Sequence, residues 1–150
     1  MTTVQDVPAE PLIRNAAGKL KAIPSVKAPE WSAFVTTGIH REKPPVDKEW
    51  WHTRVAAVLR KVYLEGPIGT ERLRAHFGGA RDRGAKPNRA KAGSGSIARE
   101  ALQQLEAAGL VENVKGEGRR VTAKGRSFMD NAAYEAKKEL VATIPGLEKY

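Results

Sequence analysis

The chain has 150 residues, 26 Lys and Arg against 17 Asp and Glu, a net charge of +9 and a sequence pI near 10.0. Its 41% hydrophobic and 29% charged residues are those of a folded chain of about one domain, which excludes wholesale disorder. Cysteine is absent, which excludes disulfides, thiol nucleophiles and cysteine-ligated zinc and suits a reducing, intracellular setting.

No apolar run approaches the roughly 18 residues that a membrane span needs. The opening MTTVQDVPAEP carries acids where a secretory leader would be apolar. His40, His52 and His76 are scattered, without the spacing of a metal site. No glycine pattern for nucleotide phosphates appears. The expectation is a non-enzyme with no metal, no cofactor, no small-molecule substrate and no membrane contact.

The charge is segregated. Residues 54–126 hold 16 Lys and Arg against 7 Asp and Glu, whereas the two flanks together hold 10 of each sign. The whole excess therefore belongs to the middle of the chain, as expected of a phosphate-binding face.

Asp6 followed by Pro8 reads as a helix start, and Leu12, Ile13, Ala16, Ala17 and Leu20 follow at helical spacing up to Pro24. Residues 24–49 read as an extended, proline-rich connector with at most a short helix near Glu30–Thr36. Trp31 and Phe34 are its expected anchors to the core. The strongest helix covers 47–64, capped by Asp47, with Trp51, Val55, Val58, Leu59 and Val62 on one face. Arg54 and Lys61 flank Trp50, and Arg60 points to the opposite side. Gly66-Pro67 ends it, and a short helix capped by Thr70 reaches Phe77.

Residues 78–96, GGARDRGAKPNRAKAGSGS, hold no large apolar residue. They read as a flexible loop that orders on phosphates, carrying Arg81, Arg83, Lys86, Arg89 and Lys91 against Asp82 alone. A helix capped by Ser94 or Ser96 follows, with Ile97, Ala101, Leu102 and Leu105 inward and Arg99, Gln103 and Glu106 outward. Beyond Gly109, residues 110–114 and 119–122 form a β-hairpin around Lys115-Gly116-Glu117-Gly118. A last helix spans about Ala123–Val141, its apolar stripe running from Phe128 to Ile144.

Helix, short helix, helix, hairpin, helix is the winged-helix order. The expected architecture is a single, mainly α, winged-helix-like bundle over residues 1–150, with a small β-hairpin and extra N- and C-terminal helices. Such folds commonly read DNA with their third core helix, here the one carrying Arg99 and Gln103. A connection of about 17 residues before that helix obstructs simple groove insertion and favours folded RNA. A winged-helix transcription regulator remains the alternative.

An ordered set of elements also resembles a known family. These are Pro29-Glu30-Trp31, Trp50-Trp51 with Arg54, Arg60 and Tyr63, then Gly66-Pro67-Ile68-Gly69 and Arg72-Leu73. Gly78-Gly79 before the basic loop, Ser96-Ile97-Ala98-Arg99, Leu102-Gln103-Gln104-Leu105-Glu106, Gly118-Arg119 and Thr122 complete it. On these the chain is similar to the small-subunit ribosomal protein nineteen-e family of archaea and eukaryotes. The resemblance implies residence in the head of the cytoplasmic small subunit, binding to 16S-type rRNA beside neighbouring small-subunit proteins, and a part in subunit maturation. The chain departs from the family pattern at His52 and at Arg89-Ala90, where an aromatic is usual.

The expected rRNA-binding residues are Arg54, Arg60, Lys61, Arg81, Arg83, Lys86, Arg89, Lys91, Arg99, Gln103, Arg119 and Arg120. Trp31, Trp50, Trp51, Gly78, Gly79 and Gly118 are expected to be structural. Arg54 has a second reading, as an internal partner of Glu49 or Asp47.

Overall fold

The structure, a computed structural model, describes residues 1–149. A 3-10 turn at Val4–Asp6 precedes α1 (Ala9–Leu20). Asp6 closes that turn instead of capping α1: its carboxylate accepts the Thr3 N–H at 2.7 Å and the Thr3 hydroxyl at 3.0 Å. The backbone bond from Thr3, and then its hydroxyl, hold Asp6 below the usual carboxylate value. Pro8 takes the N-cap position.

The connector contains one 3-10 turn, Glu30–Ala33. Trp31 anchors it by meeting Trp51 edge-on at 5.7 Å. Phe34 does not: it is 87% exposed. The 3-10 turn ends at Ala33, and Phe34 as its C-cap falls on the outer side while Trp31 points in.

α2 (Trp50–Glu65) buries Trp51, Val55, Val58, Leu59 and Val62, the face its periodicity predicts. Asp47 accepts the Glu49 N–H at 2.9 Å, so it shapes the approach while Glu49 holds the N-cap position. α3 (Thr70–His76) starts at Thr70, with Gly69 at its cap and no side-chain cap bond. α4 (Gly95–Ala107) is capped by Ser94, and the Leu110 N–H returns to the Leu105 carbonyl to close its end. α5 (Ala123–Thr143) buries Met129, Ala132, Ala133 and Ala136. Ile144 lies past its end and is exposed. These helices surround one apolar core centred on Trp51, Leu59, Leu102, Leu105 and Met129.

Two antiparallel hairpins complete the fold. β3 (Val111–Val114) pairs with β4 (Gly118–Val121), where the sequence places the wing. A single bridge ties it to the chain before α3, because Ile68 and Arg119 exchange two backbone bonds of 3.0 Å. Gly118 has φ 110°, and a Cβ there would sit 2.6 Å from the Ile68 carbonyl carbon, so only glycine lets the wing approach this closely.

The other hairpin corrects the reading of 78–96 as an irregular loop. β1 (Gly79–Arg83) pairs with β2 (Lys86–Lys91), and Gly84 at φ 72° occupies the first turn position, where a II′ turn takes glycine. Lack of apolar residues bars this stretch from the core, but a strand pair in water needs only its ladder and a fixed root. The root is supplied by the core: the Gly93 N–H bonds the Arg74 carbonyl, the Ser94 N–H bonds the Thr37 carbonyl, and Gly38 pairs with Gly93.

Thr122 joins the wing to α5. Its hydroxyl accepts the Gly125 N–H at 3.1 Å and donates to the Gly109 carbonyl at 2.7 Å. Thr122→Ala is expected to cost about 1–2 kcal/mol, read as a lower urea midpoint with an unchanged slope.

Candidate nucleic-acid interface

The projecting hairpin gathers five of the expected site residues. Alternation along the ladder places Arg81, Arg89 and Lys91 on one face and Ala80 and Ala90 on the other. Arg81 stands directly opposite Arg89, and Arg83 opposite Lys86. Like charges facing across a ladder repel. The one acid, Asp82, is occupied in the turn, accepting the Gly84 N–H at 2.9 Å. Arg81 donates to the Ile39 carbonyl and Arg83 to the Pro87 carbonyl at 3.1 Å. Neither bond neutralises a charge. Among the described residues, no carboxylate pairs with any of the five cations.

The root explains Gly78 and Gly79. A Cβ on Gly78 would lie 2.2 Å from the Lys91 carbonyl oxygen, and one on Gly79 would lie 2.9 Å from the His40 ring.

Arg99 and Gln103 are exposed on the outer face of α4, as expected. They line an open cleft with Trp31, Val35, Thr36, Ser94 and Glu100. The connector therefore runs beside this helix. Gln104, which sequence reasoning misses, fixes it there: its side chain accepts the Trp51 indole N–H at 2.9 Å and donates to the Lys27 carbonyl at 2.6 Å. A glutamine one residue from an exposed glutamine gives no local sign of such a long-range bond.

The structure does not bring the remaining candidates to one surface. Arg119 is only 19% exposed and is held by Glu106 at 3.1 Å, while Arg120 pairs with Glu112 across the wing. Lys61 faces Glu65 at 3.9 Å on its own helix. Arg60 is half-buried, and its Nε has no partner. Trp50 is packed, meeting Trp51 edge-on at 5.6 Å.

Arg54 pairs with neither Glu49, which binds Lys21, nor Asp47. Its guanidinium lies over the Phe77 ring at 4.5 Å. Burial, and then the nearby Arg41, push Arg54 below the ordinary arginine value. His40, beside it, is held below the usual imidazole value by desolvation and by Arg41 and Arg54. The His40 Nδ1 is buried without a partner.

Among the described residues, no His, Cys, Asp and Glu group has metal-binding geometry, and no helix is long and apolar enough to cross a membrane.

Residues 3–139 match the family described as Ribosomal protein S19e. The chain is 47% identical over 152 residues to the small ribosomal subunit protein eS19 of Aeropyrum pernix, covering 100% of this chain and 99% of that one. It is 42% identical over 154 residues to the eS19 of Haloarcula marismortui, at 100% and 99% coverage. It is 36% identical over 137 residues to eS19A of Schizosaccharomyces pombe, covering 91% and 95%.

Proposed function

Because the chain belongs to the Ribosomal protein S19e family, we propose that it is a structural constituent of the cytoplasmic small ribosomal subunit. In this reading it binds the 16S-type rRNA of the subunit head and supports maturation of that particle. The helical body is a platform, and the hairpin is the part that neutralises phosphate.

The observation that carries this reading is the pairing of Arg81 with Arg89 and of Arg83 with Lys86 across one ladder. Free in solution, those pairs only repel. Against closely spaced phosphates the same spacing is complementary, and each cation releases condensed counterions. An interface of about six to ten phosphates loses about 10³–10⁵-fold in affinity between 50 and 200 mM salt by the duplex-DNA estimate, somewhat less on RNA. Arg99 and Gln103 extend the surface along α4. Arg119 and Arg120 contribute backbone shape more than free charge, since both are paired.

A winged-helix transcription regulator is the weaker reading. It needs the outer face of α4 clear to enter a major groove. Here Gln104 ties Lys27 to α4, and Trp31, Val35 and Thr36 lie beside Arg99 and Gln103.

Sedimentation of a cell lysate at moderate salt tests the choice. The chain is expected to travel with the small subunit after DNase treatment. Recovery at the top of the gradient, or loss of the fast peak with DNase, would overturn the ribosomal reading.

A further inference from the structure

Beside the hairpin root lies an open cleft of about 820 Å³, lined by the connector, α1, α2 and Phe77. At its floor is Arg54, stacked on Phe77 and without a carboxylate partner among the described residues. A half-buried guanidinium is costly unless an anion completes it. Stacking covers one face of the group and leaves its edge N–H donors free, the geometry that grips a carboxylate with two parallel bonds. Arg41 and Lys43 add positive charge at the cleft wall. Of the two acids that line it, Asp47 is engaged with the Glu49 N–H, and Glu42 makes no ion pair among the described residues.

The rim is apolar. Ile13, Pro44, Pro45 and Val46 border the charged floor, and Val46 is 100% exposed. An aliphatic patch beside a half-buried arginine suits a protein–protein contact, where apolar neighbours exclude water from one buried charge pair. RNA is the competing occupant, because the cationic hairpin face reaches the cleft edge at Gly79, next to His40. A phosphodiester meets the charge, whereas a carboxylate on a peptide meets the charge and brings aliphatic side chains that cover Pro44, Pro45 and Val46. The five hairpin cations, by contrast, line no part of this cleft, and all but Arg83 are exposed.

We propose that this cleft is a docking site for a neighbouring protein of the small subunit, received through an acidic side chain or a C-terminal carboxylate flanked by apolar residues. The carboxylate sits on the edge of Arg54, and the flanking residues cover Pro44, Pro45 and Val46. The inference rests on the reading of the chain as a subunit constituent, and it assigns Arg41, Arg54 and Val46 to a protein neighbour where the hairpin is assigned to RNA.

The test uses purified small subunits that contain the full chain with a benzophenone amino acid in place of Val46, or separately of Lys86. Photolysis from position 46 is expected to give an adduct with a subunit protein, mapping within a few residues of an Asp, a Glu or a C-terminus. Arg54→Gln should lower that yield about tenfold, the order expected when a desolvated charge loses its mate. Arg41→Gln, at an exposed residue that leaves the core intact, should lower it several-fold. An adduct with rRNA from position 46 would overturn the proposal, as would a protein adduct whose yield ignores both substitutions, or no adduct at all. Position 86 reports on the parent reading separately. An rRNA adduct there, with none to protein at 46, leaves the rRNA reading standing and removes this one.

Discussion

Replacing Arg81, Arg83 and Lys86 with Ala is expected to weaken binding to small-subunit rRNA about 10²–10³-fold near 0.1 M salt, at about 1–1.5 kcal/mol for each phosphate that no longer meets a cation. The slope of log affinity against log salt should fall by about two, at roughly 0.7 per cation on RNA. The free protein should not lose stability. Both like-charge pairs, Arg81 with Arg89 and Arg83 with Lys86, disappear, and the ladder that holds the strands is backbone. The bonds removed with these side chains, to the Ile39 and Pro87 carbonyls, are exposed and worth little. Filter binding between 50 and 200 mM salt, with a thermal melt of each protein, checks both halves. An unchanged salt slope would remove the hairpin from the interface. A large drop in melting temperature would mean that the arginines are structural.

The largest effect on stability is expected at Trp51. It is 1% exposed and lies between Trp31 and Trp50, with edge-on contacts of 5.7 and 5.6 Å. Its indole N–H bonds Gln104, which in turn holds the Lys27 backbone. Trp51→Ala should cost about 3–5 kcal/mol, from the burial forgone and the cavity left behind. For a chain of this size that is a fall in melting temperature of roughly 8–15 °C. Trp51→Phe keeps most of the packing but leaves the Gln104 carbonyl with only the long bond from Lys27, so about 1–2 kcal/mol is expected. Urea titration of both variants tests the order. A loss under about 1 kcal/mol for Trp51→Ala would contradict the placement of the ring at the core centre.

Periodicity made the helices legible. Trp51, Val55, Val58, Leu59 and Val62 are spaced for one buried face, and the structure buries all five. The wing was legible because Val111, Val114 and Val121 flank a glycine-rich turn. The basic hairpin was not, because strand signals are apolar alternation and β-branched residues, and 79–91 has neither. Its strands depend on a root built from Arg74, Thr37 and Gly38, which lie well outside the segment. Phe34 misleads for a related reason: an aromatic side chain tells of a need for burial, not of which way a 3-10 turn will face. Charge showed which segment is basic but not which cations are spent. Arg119 finds Glu106 from 13 positions away, and Arg54 finds a phenylalanine ring, a partner that neither the rRNA-binding reading nor the carboxylate reading of it foresaw.

The crowding at Gly78 has a consequence for how such a hairpin can change length. At the root the two strands are packed backbone against backbone, with no room for a side chain, and the register there is fixed by the core. The tip at Gly84-Ala85 touches no other element and sits in open solvent. The root therefore resists insertion, whereas the ladder toward the tip already carries one unmatched residue between the Arg81–Arg89 and Arg83–Lys86 pairs. Each matched pair extends the reach by about 3.3 Å and keeps the cationic face where it was. One residue added to a single strand must be absorbed by a bulge of that kind, or it turns the residues beyond it to the opposite side. The hairpin is in effect a ruler with one clamped end, its reach set from the root outward.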